Sequence, residues 1–227
     1  VSGFVFDPLS ATRKIVALAL AAPVIGILAD FAFKPTRLGT AILAFAAGAA
    51  TFWVFWPILR QKDLQVVVLM GGGAVLFVVW MVGSSQSFLS EHPIRAGAAG
   101  VGLGFGVGVS SVLGASALYG IYGVSLAAAA AAFLLPQMLS GKKYEAGASF
   151  MLPLALTGGL LATAALILAQ LPWYSLLALA FIPLAARLPA PEKFPLWIQA
   201  IAVSAYTLAV AAAAIALTWQ SGGRLPT

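Results

Sequence analysis

Apolar residues in this chain run in long unbroken stretches, and the polar residues that interrupt them come in short clusters. About 20 apolar residues in a helix cross a hydrocarbon layer roughly 30 Å thick. On that ruler the pattern predicts membrane spans near 15–33, 38–59, 64–83, 95–118, 121–139, 148–170, 173–188 and 195–220. Lys34, Pro35 and Arg37 close the first. The second ends in Trp53, Trp56 and Pro57, ahead of Arg60-Gln61-Lys62-Asp63. The third gives way to Ser84-Ser85-Gln86-Ser87.

The 46 residues from Ile94 to Leu139 are too many for one helix, and the segment Tyr119-Gly120-Ile121-Tyr122-Gly123 reads as the break between two. Lys142, Lys143 and Glu145 form the next polar interruption, and Pro172-Trp173 the one after it. Paired prolines at Pro189 and Pro191 end the short span that follows, because proline cannot continue a helix. If that short span only re-enters the membrane, the count falls to seven. Trp197 and Trp219 near the two ends of the last span fit the aromatic belts of a membrane interface.

A transmembrane barrel would show segments of about ten residues alternating apolar and polar. The runs here are continuous and rich in alanine and leucine. The expected fold class is all-α: a polytopic transmembrane helix bundle of about eight spans, one domain over 1–227, with no soluble domain. Arg13 and Lys14 precede an apolar segment too long for a signal-peptide core, so it reads as the first span.

Composition strengthens that picture. Hydrophobic residues make up 62% of the chain and charged residues 8%, against roughly 25% charged in a soluble domain. The net charge of +6 comes from basic residues scattered in ones and twos at span ends, so it marks interfacial anchors and not a nucleic-acid surface. With eight spans, Arg13, Lys14, Arg60, Lys62 and Arg224 share the side of the termini. Lys34, Arg37, Arg95, Lys142, Lys143, Arg187 and Lys193 lie opposite, a slight bias toward termini outside the cytoplasm.

Candidate chemistry is thin. The chain has no cysteine and a single histidine, His92, which sits in the loop Ser90-Glu91-His92-Pro93. Thiolate or histidine-rich metal sites, haem ligation and a serine–histidine pair are therefore not expected, and no catalytic, metal or cofactor residues are assigned. Glycines at spacing two do not make a dinucleotide fingerprint, which needs a strand before it and an acidic residue about 20 positions on.

The glycines Gly100, Gly102, Gly104, Gly106 and Gly108, continuing to Gly114, instead form two small-residue rows on one helix. Gly100, Gly104 and Gly108 make one row, and Gly102, Gly106, Ser110 and Gly114 the other, so two neighbouring helices can approach on different faces. Asp30 is the acidic residue nearest a span interior, and an i,i+4 pair with Lys34 is its simplest role, a cation or proton site the sharper one. Gln137, Gln199, Ser204, Tyr206 and Thr207 are polar at membrane depth, with Gln199, Tyr206 and Thr207 placed to share a face. They serve either helix-to-helix hydrogen bonds or the lining of a solute path.

No mid-membrane acid–base or ion-coupling set can be assembled. The expected function is that of a subunit in a larger membrane complex, structural or path-lining, without chemistry of its own. Its partners would be the lipid bilayer and other membrane subunits, in a bacterial inner membrane. The alternatives are a small permease or channel for a neutral or lipid-like solute, energised by a partner, and a membrane sensor or assembly factor.

Overall fold

The structure, a computed structural model, describes residues 10–32, 36–114, 116–169, 171–190 and 193–222. Among them there are helices and no strands. Seven helices are long and apolar enough to cross a membrane: α1 (Ala11–Ala32), α2 (Arg37–Leu59), α3 (Leu64–Leu89), α4 (Pro93–Leu113), α5 (Ala117–Ser140), α6 (Gly147–Leu168) and, last in the chain, Leu196–Gly222. Between α6 and that last helix lie two short pieces, α7 (Trp173–Leu179) and α8 (Ile182–Ala185). The last helix is therefore α9. The molecule is a transmembrane helix bundle.

Two helices form its centre. In α4 and α6, 72% of the span window is buried, against 17% in α1 and 28% in α9. The α4 helix packs on α5, α9 and α6, and α6 in turn packs on α1 and α3. The α2 helix packs mainly against α3 and meets α1 only sparingly.

Three boundaries depart from the expected ones, each for a local reason. The α4 helix ends at Leu113 and α5 begins at Ala117, so the break comes before Tyr119–Gly123 and not within it. Gly114 leaves helical geometry (ψ 18°), and Ser116 caps the next helix by accepting from the Tyr119 N–H. Gly120 and Gly123 are thereby released for packing inside α5.

The polar run Ser84–Ser87 does not end α3, which continues to Leu89. Serine hydroxyls on this stretch bond back into their own helix, Ser84 Oγ to the Trp80 carbonyl at 2.6 Å and Ser90 Oγ to that of Gln86 at 2.7 Å. Such back-bonding lets serine sit in an apolar helix without an unmade donor. One turn of α3, Val67–Gly71, is wound as a π-helix.

The span expected near 173–188 is the broken pair α7–α8. Pro183 has no N–H to continue the ladder, and the helix interrupts at Ala180 and Phe181. Lipid cannot satisfy the carbonyls so freed. Trp80 of α3 does so by donating its indole N–H to the Ala180 carbonyl at 2.8 Å. Where α8 ends, the Arg95 guanidinium donates to the carbonyls of Ala186 and Leu188, at 3.1 and 3.2 Å, and Arg187 stands over the Phe88 ring at 4.3 Å. Arg95 opens α4 and Phe88 closes α3, so the far end of the pair is held opposite its start. Its start is held on the other side, where Ser175 Oγ and Thr218 Oγ1 lie 2.9 Å apart. The pair thus crosses the bundle, so among the described residues the chain traverses it eight times, seven of them in helices long and apolar enough to span a membrane.

Candidate functional site

The two glycine rows of α4 meet different helices. A Cβ added to Gly104 would stand 2.8 Å from the Ala127 Cα and 2.8 Å from the Gly123 carbonyl oxygen, both backbone atoms of α5. One on Gly108 would stand 2.9 Å from the Val124 nitrogen, and one on Gly123 would strike Gly108 itself at 2.5 Å. The two backbones are in contact. Gly100 faces Ala130 of α5 and Leu154 of α6.

The second row turns to the other side. A Cβ added to Gly102 would stand 2.6 Å from Thr207 of α9, and one on Gly106 would stand 2.7 and 3.1 Å from Leu179 and Ala211. A Cβ on Gly114 would stand 2.8 Å from the Ala169 carbonyl oxygen, just past the end of α6. Thr207 Oγ1 also reaches across to the Ala98 carbonyl of α4, 2.9 Å away, pinning α9 in the groove that Gly102 leaves. Small residues here replace the hydrophobic driving force that lipid removes.

The other polar candidates are dispersed. Thr207 is fully buried against α4, whereas Tyr206 is 36% exposed on the outer face of α9, so the shared face expected for Gln199, Tyr206 and Thr207 does not form. Ser204 contributes its carbonyl as a second acceptor for Thr207, at 3.0 Å. Gln199 donates to the Phe194 carbonyl at 2.8 Å, near the start of α9. Gln137, fully buried near the end of α5, donates to the Phe133 carbonyl at 3.0 Å and accepts from the Tyr144 N–H at 3.3 Å.

Asp30 has a role that its sequence neighbourhood does not suggest. Its two carboxylate oxygens accept from the N–H groups of Ala148 and Ser149, at 2.7 and 2.8 Å. These are orphan donors of the first turn of α6, so Asp30 caps that helix from the end of α1, and its charge faces the positive end of the helix dipole. Gly147 is needed beside it. Its φ of 54° lies in the left-handed region, and a Cβ there would meet Asp30 Oδ2 at 2.5 Å. Lys34, the partner expected for Asp30, lies outside the described residues.

Lys14, expected as an interfacial anchor, is only 8% exposed. Pro57 lacks the N–H that would bond the Trp53 carbonyl four residues earlier. Lys14 Nζ takes that carbonyl at 3.0 Å and stands 4.5 Å over the Trp53 ring. The contact clamps the start of α1 to the last turns of α2.

At their opposite ends α1 and α2 enclose a crevice of about 740 Å3, walled by the end of α3, the Ser90–Pro93 loop and the start of α6. The Gly147 N–H donates to the Ser90 carbonyl at 3.2 Å, which ties two of these walls together. Asp30, Glu91, Lys143 and Glu145 stand in its lining with Gln86. A smaller hollow of about 370 Å3 on the far side of the same loop is lined by His92, Arg95 and Gln199. Among the described residues no group of three or more His, Asp or Glu is gathered as a metal site.

No protein-family model matches the chain, and no curated protein or solved structure matches it either.

Proposed function

We propose that the chain is an integral subunit of a larger membrane complex, seated in a bacterial inner (cytoplasmic) membrane, where it packs against other membrane subunits and carries out no chemistry of its own. One observation carries this reading: among the described residues most of the threonines and glutamines buried in the spans are used on the protein's own backbone, with Gln86 Nε2, Ser110 Oγ and Ser111 Oγ the buried atoms left without a partner. Thr51 donates to Ala47 at 2.8 Å, Thr163 to Gly159 at 2.9 Å, Gln137 to Phe133 at 3.0 Å and Thr207 to Ala98 at 2.9 Å. A transport path needs such groups turned toward a solute, and ion coupling needs ionisable ones at mid-membrane. The backbone contact of α4 with α5 supports the same reading, since it leaves no room for a solute between these two helices. Helical spans in place of a barrel favour an inner membrane.

The test is purification of the tagged full chain from its own membrane in a mild detergent, followed by native electrophoresis. Stable co-migration with other membrane proteins is the expected result. Migration of the 23.3 kDa chain alone overturns the proposal. So does flux of a neutral solute when the lone protein is reconstituted in liposomes, which is the behaviour of a permease.

A further inference from the structure

The crevice between α1 and α2 presents three chemically different surfaces. Its outer part is apolar and open to the outside of the bundle between two membrane spans, with Ile25, Leu28 and Ile42 exposed by 45%, 61% and 53%. Glu91, Glu145 and Lys143 are exposed in its lining, toward the polar end of the bundle. Deeper in, Gln86 is 6% exposed, and its Nε2 is buried without a hydrogen-bond partner. A buried amide donor left unpaired is destabilising, and a ligand oxygen within its reach removes that penalty.

We propose that this crevice binds one membrane phospholipid with a primary-ammonium head group, entering laterally from the leaflet at the Asp30 end. The three surfaces correspond to three parts of that molecule. Acyl chain lies along Ile25, Leu28 and Ile42. A phosphate or ester oxygen accepts from Gln86 Nε2. The ammonium donates to the carboxylates of Glu91 and Glu145.

Charge decides the head group. Among the described lining residues three carboxylates (Asp30, Glu91 and Glu145) stand against one ammonium, that of Lys143. Arg95, which is close in sequence, is directed to the carbonyls of Ala186 and Leu188 instead. Within that lining an anionic head meets the exposed carboxylates of Glu91 and Glu145 with Lys143 alone to offset them. A quaternary head keeps the charge but has no N–H to donate. Asp30, already occupied by two backbone N–H groups, holds the wall and adds to the field. The site does not depend on the subunit reading, since a lone permease would bind lipid there equally.

Nanodiscs of phosphatidylethanolamine, phosphatidylcholine and phosphatidylglycerol in equal parts, loaded with the full chain, test this by native mass spectrometry after release from the disc. The expected result is one retained lipid, with phosphatidylethanolamine favoured over phosphatidylglycerol by about tenfold. The doubly substituted Glu91→Gln/Glu145→Gln chain should bring that ratio close to one. Gln86→Leu should weaken retention of all three lipids. No retained lipid, preference for phosphatidylglycerol, or a ratio unmoved in the Glu91→Gln/Glu145→Gln chain overturns the proposal. Undiminished retention by a folded Gln86→Leu chain does so as well. Glu91 and Glu145 are exposed, so their variant remains decisive even where Gln86→Leu does not fold.

Discussion

Replacing Gly104 with alanine should damage the bundle more than the same change at Gly72 or Gly73, although all three glycines lie in apolar spans. At Gly104 the new Cβ would be 2.8 Å from the Ala127 Cα and 2.8 Å from the Gly123 oxygen. Carbon atoms rest at about 3.5–4.0 Å, so α5 must retreat by roughly 0.7 Å or more. The obstacle is backbone, and no rotamer change relieves it. A gap of about 0.5–1 Å forfeits a quarter to a half of each dispersion contact along the seam. The neighbouring Gly108–Gly123 contact would loosen with it. Overpacking of this kind costs about 1–3 kcal/mol. At Gly72 and Gly73 an added Cβ meets nothing within 4 Å. There alanine should be neutral, or stabilising by up to about 1 kcal/mol through helix propensity.

The measurement is unfolding of the full chain in mixed micelles by titration with a denaturing detergent, followed by far-UV circular dichroism. Gly97→Ala is a useful intermediate, because its Cβ would meet the Leu134 side chain at 2.5 Å, and a side chain can turn aside. The expected order of loss is Gly104 above Gly97, with Gly72 and Gly73 unaffected. A Gly104→Ala chain as stable as Gly73→Ala would refute the claim that α4 and α5 touch through their backbones.

Three further outcomes follow from the polar contacts, each read by the same titration. Lys14→Met should cost about 1 kcal/mol, and much less in a Pro57→Ala background, where the restored N–H takes the Trp53 carbonyl; equal losses in both would show that Lys14 does not serve that carbonyl. Asp30→Ala should cost about 1 kcal/mol as a lost helix cap, and Gly147→Ala about 1–2 kcal/mol through its left-handed backbone, with faster hydrogen exchange at the Ala148 and Ser149 amides as the local readout in both. Trp80→Phe should cost about 1 kcal/mol by leaving the Ala180 carbonyl unpaired, and stability equal to the parent chain would mean that the break between α7 and α8 is satisfied in another way.

The spans were legible because lipid imposes one rule on every segment: about 20 apolar residues, with backbone bonds closed inside the helix. The glycine rows were legible for a related reason, since spacing of four on a helix is geometry and needs no partner to be named. Gly120 and Gly123 show where this stops. A glycine pair in an apolar run signals a turn and a close helix contact equally, and Ser116, which caps α5, carries no mark that separates it from Ser110 or Ser111 in the run before it. Ser84–Ser87 misled in the opposite direction. Composition counts a serine as polar, but one bonded to its own helix, as Ser84 is, has no polar demand left.

The crevice and its supports were hidden because each depends on which helix end arrives beside which. Pro57 does announce that the Trp53 carbonyl is free, by the rule that a proline bonds nothing four residues back. The donor that takes it, Lys14, is 39 residues away. The distance from Asp30 to the N–H groups it caps is three times greater, 118 and 119 residues. The two contacts act on the same helix pair from opposite ends. Lys14 clamps the start of α1 to α2, while Asp30 draws the end of α1 onto α6 and away from α2. The α1 and α2 helices are therefore joined at one side of the membrane and parted at the other, and the parting is the crevice. Its width is set by the Asp30 cap and the Gly147 backbone together, whereas the core beside it is held by glycines whose backbones already touch. Any movement that opens or closes the crevice should then fall on α1 and α2, leaving α4, α5 and α9 in place.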